Sequence, residues 1–272
     1  MIRAPLSTTS VLDETSDAVA RTAAPWAGVL ILTSIPYRFL QVLFIERLDD
    51  LGGSAMHYGH ALGELATWIT LAFVLSLVGR AVYARAVRLA ESGGEVEEGE
   101  ARLSFRPFRL RPAALFTYIY AATLAELAFL LSLFTVVAIP LTIMLAGLAV
   151  GTMELNHDVG LAAPLRQIVR YLKSGRTQLA VTLLFAIALL ATWININAIA
   201  QMVLWMSNAF AGTDVARWSM LVGSRHFGWL ALAGAVLTLE PFWVAANVVL
   251  VRKAGAQESG EELRLWFREL RA

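Results

Sequence analysis

Apolar residues come in long blocks along this chain, at roughly 25–46, 60–81, 113–134, 136–154, 177–207 and 227–251, separated by shorter arginine-bearing stretches. A helix that crosses the hydrocarbon layer of a bilayer needs about 20 residues at 1.5 Å each, and each block is near or above that length. The pattern predicts an all-α, polytopic helical membrane protein of about six transmembrane helices. The stretch 113–154 would be about 63 Å long as a single helix, more than one crossing takes. Pro140 in "FTVVAIPLTIM" offers a break, because its ring removes an N–H and clashes with the preceding turn. A tight hairpin is therefore expected near residues 134–138. The run 177–207 is also long, and extends beyond the bilayer or tilts.

Charge tests the six-span map. With both termini in the cytoplasm, the inner side holds Arg3 and Arg21; then Arg80, Arg85, Arg88, Arg102, Arg106, Arg109 and Arg111. It also holds Arg166, Arg170, Lys173 and Arg176, and finally Arg252, Lys253, Arg264, Arg268 and Arg271. The outer side has Arg47, Arg217 and Arg225, and Arg38 is left inside a span. Such an excess is the positive-inside bias expected of cytoplasmic loops. A five-span map, with 113–154 as one crossing, puts the 166–176 cluster outside and is rejected. The predicted organisation is a cytoplasmic segment 1–24, a bundle over 25–251 and a cytoplasmic amphipathic tail over 252–272.

Composition agrees: 58% of residues are hydrophobic and 16% charged, against about 45–50% and about 25% in soluble domains. A net charge of +1 gives no argument for a nucleic-acid partner. The absence of cysteine removes disulfides, thiolate metal sites and cysteine nucleophiles together. Lys173 and Lys253 are the two lysines among 22 basic residues, a bias that fits a GC-rich bacterial genome. The first twenty residues lack an apolar core and are interrupted by Asp13, Glu14 and Asp17, so a cleavable signal peptide is not expected.

Basic amphipathic stretches flank the spans. "GLAAPLRQIVRYLKSG" sets Leu161, Leu165, Ile168, Val169 and Leu172 on one helical face and Arg166, Arg170 and Lys173 on another. In the tail, Leu263, Trp266, Phe267 and Leu270 oppose Arg264, Arg268 and Arg271, and Ser259 with Glu262 has capping-box spacing. Such interfacial helices lie in the headgroup layer, held by apolar burial and by anionic lipid. They can equally dock a membrane or cytosolic protein partner, and the two roles are compatible.

Polar residues inside the blocks are the candidate chemistry. An arginine at a helix centre costs about 2.5–3.5 kcal/mol on the insertion scale, so Arg38 should face the bundle interior and an acid. By depth, Glu126 is the expected first partner and Glu64 the second, with Glu240 also a candidate. Asn195 and Asn197 fall in the outer half of span five, and Pro241 follows Glu240 at an expected helix break. The six residues Arg38, Glu64, Glu126, Asn195, Asn197 and Glu240 form either a structural set that fixes helix packing or a polar pathway for an ion, proton or headgroup.

Other motifs lead less far. His57, His60 and Glu64 share a helical face and are suitable Zn²⁺ ligands, but HExxH is absent and interfacial histidines are satisfied by water. No metal or other cofactor is expected. Glu97, Glu98 and Arg102 match the EExxxR of intramembrane CPBP proteases, but in an acidic loop rather than on a membrane helix. Asn156, His157 and Asp158 form a polar cluster without a nucleophile, and neither GxxxxGK[ST] nor GxSxG occurs. No enzyme activity is expected.

The stretches "LDETSDAVARTAAPWAGVLILTSIPYRFLQVLF", "NINAIAQMVLWM" and "TLEPFWVAANVVLVRKAGAQESGEELR" resemble an uncharacterised group of bacterial six-helix membrane proteins often encoded beside MoxR-type ATPases. A more distant similarity is to the membrane domain of some glycerophosphodiester phosphodiesterases. The first resemblance implies a place in a membrane-associated assembly and supplies no catalytic residues. The leading expectation is a non-enzymatic scaffold or anchor in a bacterial inner membrane, its loop 82–112, stretch 161–173 and tail 258–271 meeting the partner. The alternative is a transporter or channel for an ion, small molecule or lipid.

Overall fold

A computed structural model of the chain describes residues 7–22, 24–50, 55–91, 108–132, 138–153, 171, 175–211, 220 and 222–259. Seven helices and no strand lie among them: α1 (Thr8–Arg21), α2 (Ala24–Asp50), α3 (Ala55–Glu91), α4 (Pro112–Ser132), α5 (Ala138–Thr152), α6 (Gly175–Ala211) and α7 (Arg225–Ser259). Helices α2 to α7 overlie the six apolar blocks. Four contain stretches long and apolar enough to cross a membrane: Ala24–Arg47, Leu65–Glu91, Gly175–Phe210 and Arg225–Ala256. The fold is thus all-helical over the described residues, and its helices are compatible with a multi-pass membrane protein.

The 113–154 block is split as expected, into α4 of 21 residues and α5 of 15. At 1.5 Å per residue these are about 32 and 23 Å long, against roughly 30 Å of hydrocarbon. The hairpin expected near residues 134–138 lies outside the described residues but for Ala138, where α5 begins, and α4 packs against α5. Pro140 does not make the break. It lies in the first turn of α5, where its missing N–H would have had no intrahelical partner in any case.

Three further expectations change. The helix is not broken at Pro241: α7 runs through it, as α2 runs through Pro36. Helix α3 continues to Glu91, so residues 82–91 of the expected cytoplasmic loop are helical, and Val82, Tyr83, Ala84, Ala86 and Val87 are buried. Helix α7 likewise passes residue 251 and includes Arg252 and Lys253.

Packing divides the chain into two units. The first is Met1–Val29, Arg80–Leu184 and Pro241–Ala272; the second is Leu30–Gly79 and Phe185–Glu240. In the first unit, α4 buries Ala114, Thr117, Tyr118, Ala121, Ala122 and Ala125, the three-and-four spacing of one helical face. Helix α5 carries "GLAVG" at 147–151, a GxxxG spacing whose missing side chains let another helix approach closely. Asn247 of α7 occupies that approach. A Cβ on Gly151 would stand 2.7 Å from the Asn247 carbonyl oxygen and 2.7 Å from Val251 Cγ2. Asn247 Nδ2 donates to the Trp243 carbonyl at 2.8 Å, so the polar side chain is satisfied within its own helix. Gln178 Nε2 donates to the Met144 carbonyl at 2.8 Å, fastening the start of α6 to α5.

In the second unit, α2 buries Leu30, Ser34, Tyr37 and Val42 along one face. Tyr37 meets Phe73 of α3 with ring centroids 5.2 Å apart, and Trp193 Nε1 of α6 donates to the Gly228 carbonyl of α7 at 3.0 Å. None of residues 185–210 is buried.

Candidate functional site

Among the described residues two buried or clustered charged sites stand out, one in each unit. In the second unit, Arg38 meets Glu240. The Arg38 Nη2–Glu240 Oε1 distance is 3.9 Å, with the two side chains 18% and 3% exposed, so this is an ion pair looser than a hydrogen bond. Arg38 Nη1 donates to Gln41 Oε1 at 2.8 Å, one turn along α2, and its guanidinium carbon stands 5.4 Å from the Tyr37 ring centroid. That distance allows a cation–π contribution. Each charge lies beside a helix proline, Pro36 before Arg38 and Pro241 after Glu240. Each proline removes one N–H from its helix ladder, leaving the carbonyls of Leu32 and Leu237 without their usual partners. The pair therefore sits where both helices have a weakened turn.

Among the described residues the acid beside Arg38 is Glu240, the third candidate of a depth-based order that put Glu126 first and Glu64 second. Depth along a span fixes the height of a side chain but not the direction it faces, and facing decides which acid it meets. Glu126, on α4, is half-buried and belongs to the first unit. Glu64, His57 and His60 are on α3 with side chains outside the described set. Asn195 is exposed on α6, and Asn197 Nδ2 donates to its own helix at the Trp193 carbonyl, 2.7 Å away. His226 Nδ1 pairs with Glu46 Oε1 at 2.7 Å. Among the described residues no group of three or more His, Cys, Asp or Glu is placed to hold a metal. Arg166, Arg170, Lys173, Arg264, Trp266 and Arg268 lie outside the described residues, as do Asn156, His157, Asp158, Glu97, Glu98 and Arg102.

The second site, in the first unit, was missed in the sequence. Two consecutive cations on α7 reach α1. Arg252 Nη2 lies 2.8 Å from Glu14 Oε2, and its Nε 3.3 Å from Glu91 Oε2 at the end of α3. Lys253 Nζ lies 2.5 Å from Glu14 Oε1 and also donates to Ser10 Oγ at 3.0 Å and to the Ser10 carbonyl at 3.2 Å. Arg88 Nη2 donates to the Gly151 carbonyl, holding the end of α3 to the end of α5. Arg21 pairs with Asp17 one turn back on α1. Beneath α1 is a cavity of about 250 Å³ lined by Glu14, Ala18, Arg21, Ala90, Glu91 and Arg252. Its sequence signal was available: Asp17 and Arg21 have the i, i+4 order that supports a helix, and Val11, Thr15 and Ala18 form its buried face.

No family model, curated protein or solved structure matches this chain.

Proposed function

We propose that this chain is a non-enzymatic, multi-pass membrane protein of the bacterial cytoplasmic membrane that scaffolds or anchors a membrane-associated complex. The reading has six crossings, α4 and α5 forming a short helical hairpin, and both termini in the cytoplasm. The observation that carries it is the gathering of Arg21, Arg88, Arg252 and Lys253 with Glu14 and Glu91. These basic residues come from three separate stretches that the charge bias assigns to one side of the membrane, and the ends of α1, α3, α5 and α7 meet through them. A partly exposed charged surface, fixed to helices whose bodies are apolar, suits docking of a protein at the membrane face.

The transport reading is favoured by one feature, the Arg38–Glu240 pair between two proline-weakened turns. The pair closed by Tyr37 and Gln41 is read here as a packing clamp. Affinity purification from native membrane with crosslinking, on wild type and Arg38→Leu, separates the two. A scaffold retains the same crosslinked partner in the variant and loses it when Glu14, Arg252 and Lys253 are replaced by glutamine. A transporter loses substrate flux in Arg38→Leu while still inserting.

A further inference from the structure

We infer that the cavity beneath α1 binds a headgroup carrying a primary ammonium close to a phosphate, the chemistry of an aminophospholipid such as phosphatidylethanolamine. This rests on the multi-pass reading above, which places the end of α3 in the headgroup layer. Glu91 lines the cavity, and its side chain is 7% exposed. Neither of its carboxylate oxygens accepts a hydrogen bond among the described residues, although Arg252 Nε stands near one of them. A buried carboxylate with open acceptor positions calls for donors, and a primary ammonium brings three N–H groups to such a site.

The same lining also carries cations. Arg21 and Arg252 line the same cavity, and planar guanidinium forks suit phosphate oxygens. Arg21 is 59% exposed, which places its guanidinium within reach of water and of a headgroup entering from the interface. Ala18 and Ala90 also line the site, and their small side chains leave its volume open. At about 250 Å³ the space would hold about eight waters at roughly 30 Å³ each, enough for a small zwitterionic head. A simple anion would meet Glu14 and Glu91, and a simple cation would meet Arg21 and Arg252. The zwitterion satisfies both kinds of charge.

The test is native mass spectrometry of the full-length protein titrated with phosphatidylethanolamine or phosphatidylcholine of matched chains. These lipids have the same net charge, but the trimethylated one has no N–H to donate. Wild type should retain phosphatidylethanolamine about tenfold more strongly, the effect of one charged hydrogen bond or more. Soluble phosphoethanolamine as competitor distinguishes the sources: displacement means the head alone suffices, and lack of displacement means the acyl chains are needed. Glu91→Gln should lower the preference, and Ala18→Leu should remove retention of both lipids by filling the space. Equal retention of the two lipids by wild type would overturn the assignment, as would a preference unchanged in both variants. Sidedness of the α3 end is measured separately by cysteine labelling, so a failed membrane placement is not confused with a failed ligand.

Discussion

Along α7, the stretch 225–240 in the second unit buries Ala231, Ala235 and Glu240, whereas from Pro241 to Val251 in the first unit every residue but Phe242 is buried. Both stretches are apolar. The difference lies in side-chain size and in what packs around them. The later stretch, "WVAANVVLV", sets Asn247 and Val251 against Gly147 and Gly151 of α5. The earlier stretch has a Cβ-free position at Gly228 with nothing within 4 Å of where its side chain would be. In lipid, apolarity does not drive helices together; close packing and interhelical polar contacts do. The first unit combines small-residue packing with a charged network, and the second contains the buried Arg38–Glu240 pair.

That contrast breaks most severely at the buried pair. Glu240→Ala leaves Arg38 without its carboxylate in a site 3% exposed on the acid's side, and should lower stability by about 3–5 kcal/mol. Replacing both residues, Arg38→Met with Glu240→Met, should recover most of the loss, because desolvation of two charges offsets much of their attraction. Equilibrium unfolding in mixed micelles, followed by circular dichroism, measures both. A double variant as unstable as the single one would mean that the pair does more than pack.

A smaller effect separates the two packing densities. Gly151→Ala forces a methyl against the Asn247 carbonyl and Val251, and overpacking of this kind costs about 1–3 kcal/mol. Gly228→Ala meets open space and should stabilise by up to about 1 kcal/mol through helix propensity. Equal effects in the same unfolding assay would erase the distinction between the two halves of α7.

The smallest effect concerns α1. Glu14 and Arg252 are 41% and 49% exposed, so Glu14→Gln should cost no more than about 1 kcal/mol. It should nonetheless loosen α1, seen as faster amide exchange over residues 8–21. Raising the salt concentration on wild type should reproduce part of that change, since exposed pairs are screened.

Much of the fold was legible because bilayer-length apolar runs have few other solutions. Helices α2 to α7 overlie the six blocks, although α3 and α7 run on past theirs to Glu91 and Ser259, and the split between α4 and α5 was readable from length alone. Less was legible where the answer depends on rotation about a helix axis. Arg38 was correctly singled out as needing a partner, yet its height along α2 could not choose among Glu64, Glu126 and Glu240. Asp13, Glu14 and Asp17 were used only to argue against a cleavable signal peptide, when Glu14 is the acid that binds α1 to Arg252 and Lys253. The GLAVG spacing on α5 was visible too, but apolar periodicity passes over glycine. It carries no hydropathy signal, although it decides where helices come closest.

The central claim is that the ends of α1, α3, α5 and α7 share one side of the membrane. Since the chain has no cysteine, single substitutions can be labelled with an impermeant maleimide in intact cells. Gly52→Cys and Thr213→Cys should react from outside, while Gly160→Cys and Gly260→Cys should react after permeabilisation alone. Labelling of Gly160→Cys and Gly260→Cys from opposite sides would contradict the account.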